Sequence, residues 1–142
     1  VEYVFKMKRL TWQQYALEIA KVASLRSEDP YMQVGACALD YDNRVIGVAY
    51  NGLAQGKEVN EAFWEDRDAR RPFMIHAEAN LLSLFERNKC KILACTLLPC
   101  SSCATLIASH GIKQVIYREN YNRDEAAKEI FKFYNIDLIQ LL

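Results

Sequence analysis

The chain has 142 residues, 51% of them hydrophobic, with 18 lysines and arginines against 18 aspartates and glutamates. That is enough apolar material for one domain with a real core, and the balanced charge argues against the broad positive field that draws proteins to polynucleotides or other polyanions. No apolar run reaches the length of a membrane span, and residues 1–8 lack the apolar stretch of a signal peptide, so a cytoplasmic protein is expected.

In chain order, Thr11 and Gln14 have the spacing of a capping box and Leu10 and Tyr15 that of a hydrophobic staple, which predicts a helix from there that ends before Asp29 and Pro30. Its apolar face is predicted to carry Trp12, Ala16, Ile19, Ala20 and Ala23. Apolar runs at 34–39 and 45–50, parted by a turn-rich stretch at 40–44, predict a hairpin of two mostly buried strands. Residues 53–72 are polar, mixed in charge and without a sustained period, which predicts a loop with one helical turn near Phe63 and Trp64. Helical spacing returns over 73–87, where Met74, Ala77, Leu81, Leu84 and Phe85 form the core stripe and His76 and Glu78 fall in or near the first turn.

A strand is predicted at 92–98, a helix at 101–109 ended by His110 and Gly111, a strand at 114–117, a helix at 122–134 capped by Asn122 and Glu125, and a last strand at 136–141. His110 is placed to serve a helix carbonyl end. The order of elements implies one domain over 1–142, a three-layer α-β-α fold around a mixed five-stranded sheet: the hairpin supplies the antiparallel pair, and crossover helices make the later strands parallel.

The chemistry lies in His76-Ala77-Glu78 and Pro99-Cys100-Ser101-Ser102-Cys103. Cys100 and Cys103 are three apart, so both sulfurs can face one point on a first helical turn, where the helix dipole favours thiolates. With His76 they offer zinc three ligands, and a site with three protein ligands keeps its fourth corner for water, whose pKa the metal can bring down to about 7. Glu78 is near enough to serve as a proton shuttle without being a ligand. A lone C-x-x-C also fits a structural or redox site, but the His-Ala-Glu stretch favours catalysis, and the pair of motifs resembles the signature of zinc-dependent nucleobase deaminases. Cys37, Cys90 and Cys95 show no disulfide framework; Cys37 and Cys95 fall in strand patterns as small core residues, and a reducing compartment fits.

Further blocks narrow the resemblance. Arg26-Ser27-Glu28-Asp29-Pro30, Gln33 to Cys37, Gly47 with Tyr50-Asn51-Gly52, the two motifs above and Gly111 to Tyr117 together resemble the deoxycytidylate (dCMP) deaminases over nearly the whole length. The resemblance implies one catalytic zinc on His76, Cys100 and Cys103, Glu78 as the proton shuttle, and the Ala77 amide on the pyrimidine carbonyl. It further implies Asn51 on the deoxyribose, Tyr121 over the base, and Ser24 and Arg26 near the phosphate. The family often carries a cysteine- or histidine-bearing insert before the His-Ala-Glu motif, and 53–72 has neither residue type, so no second zinc is expected.

The family resemblance also implies a hexamer activated by dCTP and inhibited by dTTP, to which Gly52, Gly56, Lys57 and Arg87 are candidate contributors. The reaction so implied is hydrolysis of dCMP to dUMP, a supply step for thymidylate. Three alternatives stand beside it: a deaminase that also or instead accepts dCTP, a polynucleotide deaminase acting on tRNA or single-stranded DNA, which the balanced charge disfavours, and a zinc-organised scaffold without catalysis.

Overall fold

The structure, a computed structural model, describes residues 8–120 and 125–142. The Thr11 hydroxyl accepts the Gln14 N–H at 3.1 Å while the Gln14 side chain accepts the Thr11 N–H at 2.8 Å, the reciprocal cap expected from the sequence. Helix α1 follows over Trp12–Ser24 and buries Ala16, Leu17, Ala20 and Ala23. Trp12, predicted on the buried face, is instead 51% exposed and stands edge-on to Tyr15. The buried face starts one turn later, at Ala16, and is carried by Ala16, Leu17, Ala20 and Ala23, three of them small enough to let the helix backbone lie close to the sheet.

That closeness is set at Gly35, the first residue of strand β1 (Gly35–Asp40), where an added Cβ would collide with the Ala20 carbonyl oxygen and lie 2.6 Å from the Ser24 nitrogen. Both obstacles are backbone and cannot swing aside. G35A is expected to destabilise the fold by about 3 kcal/mol, read as a lowered urea midpoint.

β1 turns into β2 (Val45–Tyr50) through Asp40, whose carboxylate accepts the N–H groups of Asp42 and Arg44, and through Asn43 at φ 60°. The other strands are β3 (Cys90–Leu97), β4 (Gln114–Glu119) and β5 (Asp137–Gln140), and the sheet order is β2-β1-β3-β4-β5. β1 is antiparallel to both β2 and β3, and β3, β4 and β5 are mutually parallel, so the expected mixed five-stranded sheet is observed. The hairpin differs from expectation in burial: β1 is almost wholly buried, whereas β2 borders the sheet and exposes Val45, Val48 and Tyr50. An edge strand has a neighbour on one side only, so the same apolar composition hides less surface.

Beyond β2 come α2 (Glu61–Glu65), α3 (Arg67–Arg70), a 3-10 turn (Arg71–Phe73) and α4 (Ala77–Leu82). The loop predicted at 53–72 therefore holds two short helices, each started by a side chain that accepts an N–H three residues on: Asn60 from Phe63 and Asp66 from Ala69. The helix predicted over 73–87 is much shorter. Ile75 exchanges two backbone hydrogen bonds with Gly52, at 2.7 and 3.0 Å, which draws 74–76 into extended chain and delays the helix to Ala77. Leu84, predicted in the core stripe, lies past the helix end and is exposed.

α5 (Ser101–Ser109) and α6 (Ala126–Phe133) complete the described helices. Gly111, at φ 80°, follows the α5 cap as expected, and Glu125 caps α6 without a side-chain bond; Asn122, its predicted partner, lies outside the described residues. Alternate residues of the central strands face opposite layers. Cys37, Leu39, Ile92, Ala94 and Ile116 pack against α1, and Ala36, Ala38, Leu93, Cys95 and Val115 pack against Leu81, Ala104, Ile107 and Phe131 of α4, α5 and α6. This is the α-β-α sandwich, and it explains why the strands read as continuous apolar runs.

Candidate active site

α4 and α5 begin beside one another, and their starts build the site. His76 is the residue before α4, and Cys100, just past β3, holds the same position before α5; both have extended backbones with ψ 149° and 170°. Cys103 follows one turn into α5. The Nδ1 atom of His76 lies 3.4 Å from the Cys100 sulfur and 3.3 Å from the Cys103 sulfur, and all three donor atoms fall within 4.8 Å of one another. Nitrogen and sulfur donors held about 2.0–2.3 Å from zinc at tetrahedral angles stand roughly 3.3–3.8 Å apart, so the trio fits a zinc ion with one position left for another ligand.

The electrostatics agree with that fit. Cys100 is pushed down to about 4, first by the hydrogen bond from the Cys103 thiol, with His76 acting in the same direction. The bond with Cys100 and then burial push Cys103 up. The two sulfurs thus share a hydrogen bond that favours the thiolate at Cys100, and an arriving cation would favour the thiolate at both. His76 is raised, chiefly by its hydrogen bond with Cys100, while burial opposes the rise. We expect C100S and C103S each to lose zinc by elemental analysis while the wild type retains about one ion per chain.

Glu78 is 4% exposed, in the first turn of α4. Burial pushes its carboxyl above the ordinary value, the neighbouring His76 pulls it down, and a hydrogen bond with Cys103 ties it to the trio. A cavity of about 290 Å³ opens on this group, near the lower bound of the roughly 300–1,000 Å³ usual for small-molecule sites. His76, Ala77, Glu78 and Cys100 line it together with Asn51, Met32, Met74, Leu97 and three arginines, Arg67, Arg70 and Arg71. Met74, predicted as core, is half-buried in this wall because it precedes the helix.

Of the predicted substrate residues, Ala77 and Asn51 lie in the lining. Ala77 is the first residue of α4, where helix geometry leaves the N–H without an intrahelical acceptor. Asn51 is buried; its side-chain oxygen accepts the Val34 N–H and its nitrogen donates to the Met32 carbonyl, both at 2.9 Å. Ser24 and Arg26 do not border this cavity: the Ser24 hydroxyl donates to the Lys21 carbonyl at 2.6 Å, and Arg26 is exposed. Tyr121 lies outside the described residues.

The candidate effector residues stand apart from the lining. Gly52 is buried and paired with Ile75, Gly56 has φ 86° with open space around it, and Lys57 and Arg87 are exposed. His110 donates from Nε2 to the Phe85 carbonyl, 3.0 Å away, so it serves the chain end after α4 instead of its own helix.

The sequence reading missed Asp29 and Arg70. Arg70 Nη1 lies 2.7 Å from Asp29 Oδ2, both side chains are buried, and the guanidinium covers the rings of Tyr31 and Trp64. Asp29 Oδ1 accepts the N–H groups of Tyr31 and Met32. The pair ties α3 to the chain under the cavity, a link across 41 residues that no local pattern announces.

A three-layer sandwich carrying two sulfurs, an imidazole and a buried acid at the mouth of a small cavity is the architecture of a zinc-dependent hydrolytic deaminase. Residues 10–119 match the family described as the cytidine and deoxycytidylate deaminase zinc-binding region. The chain is 33% identical over 140 residues to the deoxycytidylate deaminase of Mus musculus, covering 89% of this chain and 78% of that protein. Against the deoxycytidylate deaminase of Homo sapiens it is 34% identical over 128 residues, 82% of this chain and 71% of the other. The dCMP deaminase of cyanophage S-TIM5 in its apo form superposes with a TM-score of 0.75 at 22% identity, covering 94% of this chain and all of that one. The same phage protein in complex with dCMP and dUMP gives 0.70 at 24% identity, covering 92% and 93%. The chain belongs to the cytidine and deoxycytidylate deaminase family.

Proposed function

We propose that this chain hydrolyses dCMP to dUMP and ammonia, with His76, Cys100 and Cys103 holding a single catalytic zinc ion and Glu78 moving the protons. The observation that carries the reading is the buried Glu78 carboxyl beside three converging zinc donors, with Glu78, His76 and Cys100 on the wall of one cavity. Its substrate rests on the similarity to deoxycytidylate deaminases. Bound there, zinc would supply a water acidic enough to react near neutral pH.

The protein's own groups do the rest. The Ala77 N–H holds the C2 carbonyl of the ring, and Asn51 faces the sugar. Glu78 takes a proton from water and delivers it to N3, which leaves C4 electron-poor and open to attack. The hydroxide so formed adds to C4, making the C4–O bond; Glu78 then carries the remaining proton of that oxygen to the exocyclic nitrogen, the C4–N bond breaks, and ammonia leaves as the C4 carbonyl forms. A carboxyl that burial pushes above its ordinary value keeps its proton to higher pH than a free one, which suits the delivering half of each transfer. The reading extends to one domain, a cytoplasmic location, and a homo-oligomer, hexameric by the family resemblance. It also extends to dCTP and dTTP as effectors near Gly52, Gly56, Lys57 and Arg87. Among the described residues no helix is long and apolar enough to cross a membrane, and the five cysteines are free, in keeping with a reducing compartment.

Ammonia release from dCMP, dCTP, deoxycytidine and cytidine by the zinc-loaded protein tests the assignment. Preferential turnover of dCMP supports it; turnover of dCTP in its place would reassign the substrate, and turnover of neither nucleotide would sink the reading. Sizing with and without dCTP and dTTP tests the assembly.

A further inference from the structure

The cavity lining is richer in positive charge than the chain as a whole, whose lysines and arginines are matched by its acids, 18 to 18. Arg70 is neutralised by Asp29. Arg71 is different: it is exposed, it borders the cavity, and it forms no ion pair with a carboxylate among the described residues. It stands five positions before His76, at most about 17 Å of extended chain, and both line the same cavity, so one small molecule can touch both.

The backbone that carries Arg71 is anchored on both sides. Before it, Arg70 donates its N–H to Asp66 and its side chain to Asp29. After it, Pro72 restricts the chain, Met74 donates to the Arg71 carbonyl at 3.2 Å, and Ile75 is bonded to Gly52. A cation on such a support loses little freedom on meeting a ligand. Ser24 and Arg26, the candidates for the phosphate end, do not border the cavity.

We infer that Arg71 is the specificity-determining residue that receives the phosphate of the nucleotide, its guanidinium supplying charged, paired donors to a dianion in the cavity. The inference rests on the proposed nucleotide substrate and adds the residue that tells a nucleotide from a nucleoside. Arg26 takes no part in that discrimination.

The test compares dCMP with deoxycytidine in the zinc-loaded wild type, R71A, R71K and R26A. R71A should lose about 10- to 100-fold in kcat/KM for dCMP, mostly through KM, while its deoxycytidine value changes less than about twofold. R71K should recover part of the loss, and R26A should behave as the wild type. An equal loss on both substrates, no loss on dCMP, or a loss that falls on R26A in place of R71A overturns the assignment. Should the wild type turn over neither compound, the proposed reaction fails, and calorimetric titration of both still decides the present point. A binding preference for dCMP that R71A abolishes supports it, and either no preference in the wild type or a preference that R71A keeps overturns it.

Discussion

Glu78→Gln is expected to hold zinc and bind dCMP as the wild type does, yet to lose about 1,000-fold or more in kcat. The amide has nearly the carboxyl's shape, so a buried side chain 4% exposed can be exchanged without opening a cavity. What it cannot do is accept a proton from water and give it up again. Elemental analysis, calorimetric dCMP binding and ammonia release separate the three properties; near-normal turnover would mean that another group carries the protons.

A stability readout in the zinc-free protein accompanies it. Burial raises the Glu78 carboxyl in the folded state, so below its unfolded value of about 4.3 both states are protonated and the group costs the fold no ionisation. As pH rises from the unfolded value toward the raised folded one, the unfolded chain ionises first and the wild type loses stability that the amide variant keeps; above the folded value the loss is complete. E78Q should therefore unfold at higher urea than the wild type near pH 8, with the gap closing toward pH 4.

How far the sequence anticipates this site depends on whether a feature is local. The zinc donors and Glu78 were legible because each motif is a few residues long and its geometry is that of one helix start. The sheet order followed from the alternation of apolar runs with helical periods. Helical spacing puts Trp12 with the buried residues because it says which residues share a face, not where along the helix that face meets the sheet, and burial begins only at Ala16. The helix over 73–87 was overdrawn because Met74 falls on the right period by coincidence while Ile75 is claimed by Gly52, 23 residues earlier. Helices α2 and α3 are too short to show any period, and only Asn60 and Asp66 mark their starts. The cavity's arginines were hidden in a segment whose mixed charges look like ordinary solvated loop.

Arg70→Met is expected to destabilise the protein by about 3–5 kcal/mol, a large part of the roughly 5–15 kcal/mol that a domain of this kind has in total. The Asp29 carboxylate is buried, and one of its oxygens has Arg70 as its partner at 2.7 Å. Removing the guanidinium leaves that charge without a counterion, whereas methionine still fills space between Tyr31 and Trp64, so the loss is mainly electrostatic. D29N should cost a similar amount from the other side, since Arg70 already has its Nε buried without an acceptor and the amide cannot neutralise the cation. The double variant D29N/R70M should recover at least half of the summed losses in urea unfolding, because the energetic penalty is the unpaired charge and not the absent pair. The same variants should raise KM for dCMP more than they lower kcat. Asp29 holds the Tyr31 and Met32 N–H groups, the Met32 carbonyl receives Asn51, and Asn51 lines the cavity, so loosening the pair reaches the substrate wall before it reaches Glu78. Single variants within about 1 kcal/mol of the wild type, or strictly additive losses in the double variant, would show that solvent already screens the pair.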